Sequence, residues 1–172
     1  MTRPRTDGLK RPRTDGLKRP RTIVVEIVQQ QSAAAIEPRR LRRAVRTVLR
    51  QARLQKARVS LALVDDRTIA RLNRRFLGHR GPTDVLSFLL ERSPGYLEGE
   101  LVVGADVACR AAPRYGWSAQ QELLLYVIHG ALHLVGYDDA QPGERARMRR
   151  RERELLAQLG SPRSEFPSGA LP

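Results

Sequence analysis

One cysteine, one tryptophan and 5% aromatic residues leave this 172-residue chain few of the usual anchors. With Cys109 alone, an intramolecular disulfide is excluded, and a reducing compartment is the natural setting. With so few aromatics, a core must rest on Leu, Val, Ile and Ala. No run of apolar residues is long enough to read as a membrane span, and the first residues lack the apolar stretch of a secretory signal. The expectation is a cytoplasmic protein with no membrane partner. Acidic residues are also short, 18 against 32 Lys+Arg, which gives a net charge of +14. Lysine itself is scarce (Lys10, Lys18 and Lys56), so the positive charge is nearly all arginine. Such an excess favours a polyanion, most often nucleic acid. An Arg-for-Lys bias of a GC-rich genome gives the same charge with no partner at all, and composition leaves these two readings balanced.

What is present is a globular composition, 41% hydrophobic, and enough chain for one domain. Residues 1–22 are set apart by an exact tandem repeat: Arg-Pro-Arg-Thr-Asp-Gly-Leu-Lys at 3–10 and again at 11–18, with a third copy beginning at 19. A short unit containing Pro and Gly cannot bury a core, so this reads as a disordered basic tail. An electrostatic arm for RNA is one reading of it. A repeat expansion or a misplaced start codon is the simpler one. Residues 161–172 read as a second loose tail, which leaves 23–160 as the folded domain.

Within that domain, Ile23–Val28 is a β-branched run that predicts a first strand. Pro38 suits a first helical turn. Leu41, Val45, Val48, Leu49 and Ala52 follow at helical spacing, with arginines filling the outer face. Arg39, Arg43 and Arg46 on that face are candidate RNA contacts, although a solvated face is the common outcome. Arg58–Val64 predicts a strand. Asp66 is placed to cap a helix with Ile69, Leu72, Phe76 and Leu77 inward. Gly78–Pro82 reads as a loop, with His79 as an exposed loop residue, Thr83–Leu90 as a buried strand, Ser93–Gly99 as an exposed loop and Glu100–Val107 as a further strand. Ser118 and Gln121 form a capping box opening a helix to about Val135, apolar nearly all round and hence buried. Pro142 starts a last helix that Gly160 and Pro162 end. The fold class is therefore α+β: a single domain with a mixed sheet of about four strands flanked by helices.

The chemistry centres on residues 129–139, His-Gly-Ala-Leu-His-Leu-Val-Gly-Tyr-Asp-Asp. His129 and His133 are four apart on a helix and so share one face, about 6 Å apart along the axis. In a buried helix they need partners. Gly136 allows the chain to turn back and bring Asp138 and Asp139 towards the pair. Two nitrogens, one carboxylate and an open fourth position outline a catalytic zinc site. Spacing favours Asp139 as the third ligand. Asp138 is either an orienter of a ligand imidazole or the cap of the turn. A peptidase of the His-Glu-x-x-His type is excluded, because Gly130 stands where the base would be. Two histidines stabilising a core are the competing reading.

The stretch His129–Asp138 resembles the His-Gly-x-Leu-His-Leu-x-Gly-Tyr-Asp-His string of the YbeY endoribonuclease family, with Asp139 where that family has a third histidine. Pro82-Thr-Asp-Val-Leu-Ser-Phe88 resembles a second motif of the same family, and Leu72-Asn73 and Gly99-Glu100 fall in the expected places. The resemblance covers about 23–160. It implies a zinc-dependent, single-strand-preferring endoribonuclease with one Zn2+ per chain. The implied role is 16S rRNA 3′-end maturation and ribosome quality control, with rRNA, the small ribosomal subunit and ribosomal or assembly proteins as partners. The ligands are then His129 (which also counts as the catalytic residue), His133 and Asp139. A carboxylate in third place still binds zinc, weakens it as a Lewis acid and widens the choice of metal towards harder ions. The family often carries an arginine at the position of Leu77, associated with activity. Arg80 and Arg75 are the nearby candidates to meet RNA in its stead. A non-catalytic rRNA-binding assembly factor with a structural metal is the alternative, and a metal hydrolase of small molecules is a weaker third.

Overall fold

The computed structural model describes residues 22–30 and 37–161. The two tails read from the sequence, apart from Thr22 and Ser161, lie outside them. The chain runs β1 (Thr22–Gln29), α1 (Pro38–Gln51), β2 (Lys56–Val64), α2 (Asp66–Leu77), β3 (Val85–Ser93), β4 (Tyr96–Gly104), α3 (Ala105–Ala111), a 3-10 turn (Ala112–Tyr115), α4 (Ala119–Leu134) and α5 (Pro142–Gln158). The four strands form one sheet in the order β1-β2-β4-β3. β1, β2 and β4 are parallel, while β3 pairs antiparallel with β4 at the edge. The expected mixed sheet of an α+β domain is thus what forms.

Alternation along β2 divides the core. Val59, Leu61 and Leu63 point to the face that carries α1, α4 and α5. Val64 points to the other face, where it joins Ile69, Leu86 and Val102 beneath α2. α4 is wedged between the sheet and its neighbouring helices, so Leu123 to Ile128 are buried in every direction. That is why its sequence shows no polar stripe. The capping box forms as expected: the Ser118 hydroxyl accepts from Gln121 N–H, and the Gln121 side chain accepts from Ser118 N–H.

Four local expectations need correction. The cap of α2 is Asp65, whose Oδ1 accepts from Thr68 N–H at 2.8 Å, and Asp66 lies inside the first turn. Leu77 is 55% exposed, and Phe76, though its ring meets Phe88 of β3 edge-on at 5.0 Å, is 54% exposed, because α2 overhangs the sheet edge beyond Asn73. β3 is an edge strand rather than a buried one: Leu89 and Leu90 are exposed, and its register slips between Leu89 and Glu91. The segment 93–99 is not a long loop but a tight hairpin turn at Pro94-Gly95, Gly95 having φ +77°, so β4 starts at Tyr96. Among the described residues, no helix is long and apolar enough to cross a membrane.

Candidate metal centre

α4 is brought onto the sheet by an absence. At Gly130 a β-carbon would lie 2.8 Å from Val85 Cγ2, 2.9 Å from Leu101 Cδ2 and 2.9 Å from Ser87 Oγ. Only glycine lets the helix backbone approach β3 and β4 this closely. The Ser87 hydroxyl donates to the Gly130 carbonyl at 3.2 Å and fixes the contact. His129 and His133 flank this point on the same helix.

The helix then ends in a Schellman motif. Gly136 has φ +99°, with Gly136 N–H donating to His133 O at 2.9 Å and Tyr137 N–H to Leu132 O at 3.0 Å. The return places the Tyr137 carbonyl 3.0 Å from His133 Nδ1. A carbonyl only accepts, so His133 carries its proton on Nδ1 and turns a bare Nε2 inward. His129 is held likewise from the opposite side. Its Nδ1 lies 2.7 Å from Oε1 of Glu152, a carboxylate on α5 that is 1% exposed. Nδ1–H donates to that carboxylate, and again Nε2 is left with a lone pair. The two Nε2 atoms face each other at 3.0 Å.

Two ring nitrogens at that distance need a shared cation between them, a proton or a metal ion. Their separation is near the ~3.3 Å that two imidazole nitrogens take on one tetrahedral ion at ~2.0–2.1 Å. Asp139 straddles the pair, Oδ2 lying 3.7 Å from His129 Nε2 and Oδ1 3.8 Å from His133 Nε2. Ligand atoms of the three residues all fall within 4.8 Å of one another. The donor set therefore fits a divalent metal ion, and the carboxylate–imidazole pair Glu152–His129 is the kind of support that metal-ligating histidines use. His129 is nearly buried, while His133 and Asp139 are about 30% exposed, so the centre opens to solvent on their side. Burial disfavours the His129 imidazolium, but the Glu152 hydrogen bond and charge, with Asp84 and Asp139 behind, outweigh it and hold its pKa above the ordinary histidine value.

Asp138 caps the turn. Its Oδ1 accepts from Asp139 N–H at 2.7 Å and Ala140 N–H at 3.1 Å, and these bonds hold its carboxyl below the usual range. The orienting role weighed for Asp138 is filled by Glu152, which sequence reasoning missed. A signal existed: Glu152 sits four residues after Met148 and three before Leu155, on the inward stripe of α5, where a charge needs a partner. Arg145 donates through Nε to Asp139 O at 2.9 Å and braces the same loop. No hydrogen bond or ion pair among the described residues joins the other arginine candidates to the histidines. Arg80 groups with Arg71 and Arg74 beside α2, Arg75 lies over the Phe76 ring at 5.5 Å, and Arg39, Arg43 and Arg46 share the outer face of α1. His79 is exposed.

Comparison with known proteins identifies the family. The sequence model described as "Endoribonuclease YbeY" matches residues 26–160. The chain belongs to the YbeY endoribonuclease family. YbeY proteins named as endoribonucleases include one from Thermobifida fusca, 39% identical over 141 residues, with 76% of this chain and 90% of that protein covered. Another, from Syntrophus aciditrophicus, is 36% identical over 143 residues, with 78% and 89% covered. A third, from Rhodopirellula baltica, is 47% identical over 104 residues, which cover 59% of this chain and about half (54%) of that protein. A Thermotoga maritima protein with a solution structure is 25% identical and superposes with a TM-score of 0.55, covering 85% of this chain and 99% of that one.

Proposed function

We propose that this protein is a divalent-metal-dependent endoribonuclease that cuts single-stranded rRNA. By the family resemblance its setting is 16S rRNA 3′-end maturation and ribosome quality control in the cytoplasm, alongside the small ribosomal subunit and its ribosomal or assembly proteins. The observation that carries the reading is the pair of inward Nε2 atoms 3.0 Å apart with Asp139 across them, each imidazole fixed through its other nitrogen. Membership of the endoribonuclease YbeY family and the net charge of +14 support RNA as the substrate class.

His129, His133 and Asp139 would hold the ion, with Zn2+ the first expectation for two nitrogens and one carboxylate. When bound, such an ion supplies a Lewis acid for a phosphoryl oxygen and lowers the pKa of water at the open position. The chain's own residues do the rest. Glu152 lies behind His129 and is engaged at Nδ1, so it orients the ring and does not serve as a base. The Tyr137 carbonyl sets the tautomer of His133. Arg145 holds Asp139 through its backbone carbonyl, and because that partner is neutral its guanidinium charge remains available to a phosphate beside the loop.

The test is to measure bound metal and cleavage of a single-stranded RNA for wild type, His133→Ala and Asp139→Ala. Loss of both metal and cleavage is expected in each variant. Retention of metal by both variants would refute the three-residue site. A second reading, an rRNA-binding assembly factor with a structural metal, draws on Leu77, exposed where the family often has arginine. Wild type that holds metal but leaves RNA uncut across metals and pH would establish it.

A further inference from the structure

The outer face of α1 carries positive charge alone, and the metal centre does not use it. Between Pro38 and Arg53 the sequence has seven arginines and no acidic residue. Arg39, Arg42, Arg43, Arg46 and Arg50 line one shallow depression with Thr47. Five guanidiniums over twelve residues span about 16 Å, roughly 4 Å from one to the next along the axis. That spacing is of the same order as the ~3.4 Å per charge of one nucleic-acid strand in a duplex.

Stability alone argues against this arrangement. Like charges three and four residues apart repel, and arginines in the first turn oppose the helix dipole. The helix has no acidic residue in that turn and no side-chain cap. Among the described residues, no carboxylate lies within ion-pair distance of Arg39, Arg42, Arg43 or Arg46. Arg40, by contrast, is turned aside to the Ser161 hydroxyl and the Gly160 carbonyl.

The opposite face fixes what can dock. Leu41, Ala44, Val45, Val48 and Leu49 are all buried in the core. The helix therefore has no apolar stripe to insert into a bilayer. Its outer face likewise offers no aromatic or aliphatic anchor of the kind that protein interfaces use. Charge without apolar contact is what a sugar-phosphate backbone requires.

We propose that α1 is a second, sequence-independent RNA-docking ridge. It holds the phosphates of a strand away from the metal centre and so favours long RNAs over short ones. This deepens the endoribonuclease reading and rests on its RNA substrate. The test uses the full chain, with Arg39, Arg42, Arg43 and Arg46 all changed to Gln. Binding of a long single-stranded RNA and of an oligonucleotide of about five nucleotides is followed across a salt series. At ~0.7 per lost contact, the slope of log K against log salt for the long RNA should become shallower by about 3. Binding of the short oligonucleotide and metal content should stay as in wild type. The single variant Arg46→Glu, should the quadruple one not fold, should lower the slope by about 1. An unchanged slope overturns the ridge, and so does an equal loss on short and long RNA. If the variants lose binding to phosphatidylserine vesicles and not to RNA, the ridge is a lipid site and the proposal fails. A wild-type protein that binds no RNA at all refutes the endoribonuclease reading itself, which separates that failure from the ridge's own.

Discussion

Replacing Gly130 with alanine sets two effects against each other. In an ordinary helix interior, Gly→Ala gains about 1 kcal/mol. Here the new methyl group meets Val85 Cγ2, Leu101 Cδ2 and Ser87 Oγ, all under 3.0 Å, from two different strands. None yields easily. Val85 is β-branched and stiff, Leu101 is fully buried, and Ser87 is bonded to the Gly130 carbonyl. Overpacking of this kind costs about 1–3 kcal/mol, and losing the Ser87 bond adds about 1 kcal/mol. The steric terms win, and the net result should be a loss of about 1–3 kcal/mol.

At about 3–4 °C per kcal/mol for a domain of this size, Tm should fall by roughly 3–12 °C. Urea unfolding should show the same loss as a shift of midpoint. Because the clash sits between His129 and His133, metal affinity should fall as well. Adding Val85→Ala makes room, so the double variant should lose less than the sum of the two single changes. An alanine variant as stable as wild type, or more so, would refute the close approach of α4 to the sheet. The same crowding explains why this helix cannot carry a glutamate at 130. The strands occupy the space, and a peptidase-type base has nowhere to stand.

Glu152→Gln keeps the shape but weakens the pull on His129 Nδ1–H. Metal affinity should fall about 10–100-fold, and nitrogen NMR should show His129 losing its fixed Nδ1–H tautomer. An unchanged affinity would mean that the 2.7 Å contact does not support the site. Chelation should lower Tm in the wild type and not in His133→Ala, since an ion present at a thousand times its Kd adds about 4 kcal/mol to the folded state. The Asp65 carboxyl is held below its ordinary value, chiefly by its hydrogen bonds to Thr68. Its contribution to stability is therefore present above the unfolded pKa near 3.8 and lost as pH falls through the depressed folded value. Asp65→Asn, which caps without titrating, should remove that step from a plot of Tm against pH, and an unaltered step would assign the acid sensitivity elsewhere.

What was legible in the sequence was local. The capping box at Ser118, the turn at Gly136 and the His129–His133 face depend on residues within a few positions of one another, and each forms as its spacing implies. Sheet content also followed from strand runs and turn residues. The failures were long-range. How far Phe76 and Leu77 are covered depends on where the sheet beneath α2 stops, which no helical period records. Leu89 and Leu90 look like a buried strand by composition but fall on an edge. Glu152 lies 23 residues from His129, and its role appears only when α5 packs against α4. Gly130 could be read from the chain as a missing base; its steric role needed β3 and β4 in place.

Asp139 in place of a third imidazole changes the charge of the centre as much as its donor set. Glu152 already puts one buried negative charge behind His129. Asp139 adds a second in direct reach of both Nε2 atoms. With two neutral imidazoles, these two carboxylates would balance a divalent ion, whereas a third imidazole would leave one positive charge over. Neutrality suits a half-buried site, because an uncompensated charge is costly to desolvate. It also removes from the centre the positive charge that would draw in a phosphodiester. That charge must then come from the surroundings. Among the described residues, Arg145 bonds only the neutral carbonyls of Asp139 and Ala140, and Arg147 lies over the Tyr137 ring at 5.4 Å. Both stand on α5 beside the ligand loop with their charges unspent. The carboxylate at 139 and the arginines at the start of α5 are thus two halves of one electrostatic arrangement. With an ion bound, the first would steady it, and the second would restore attraction for an anionic strand.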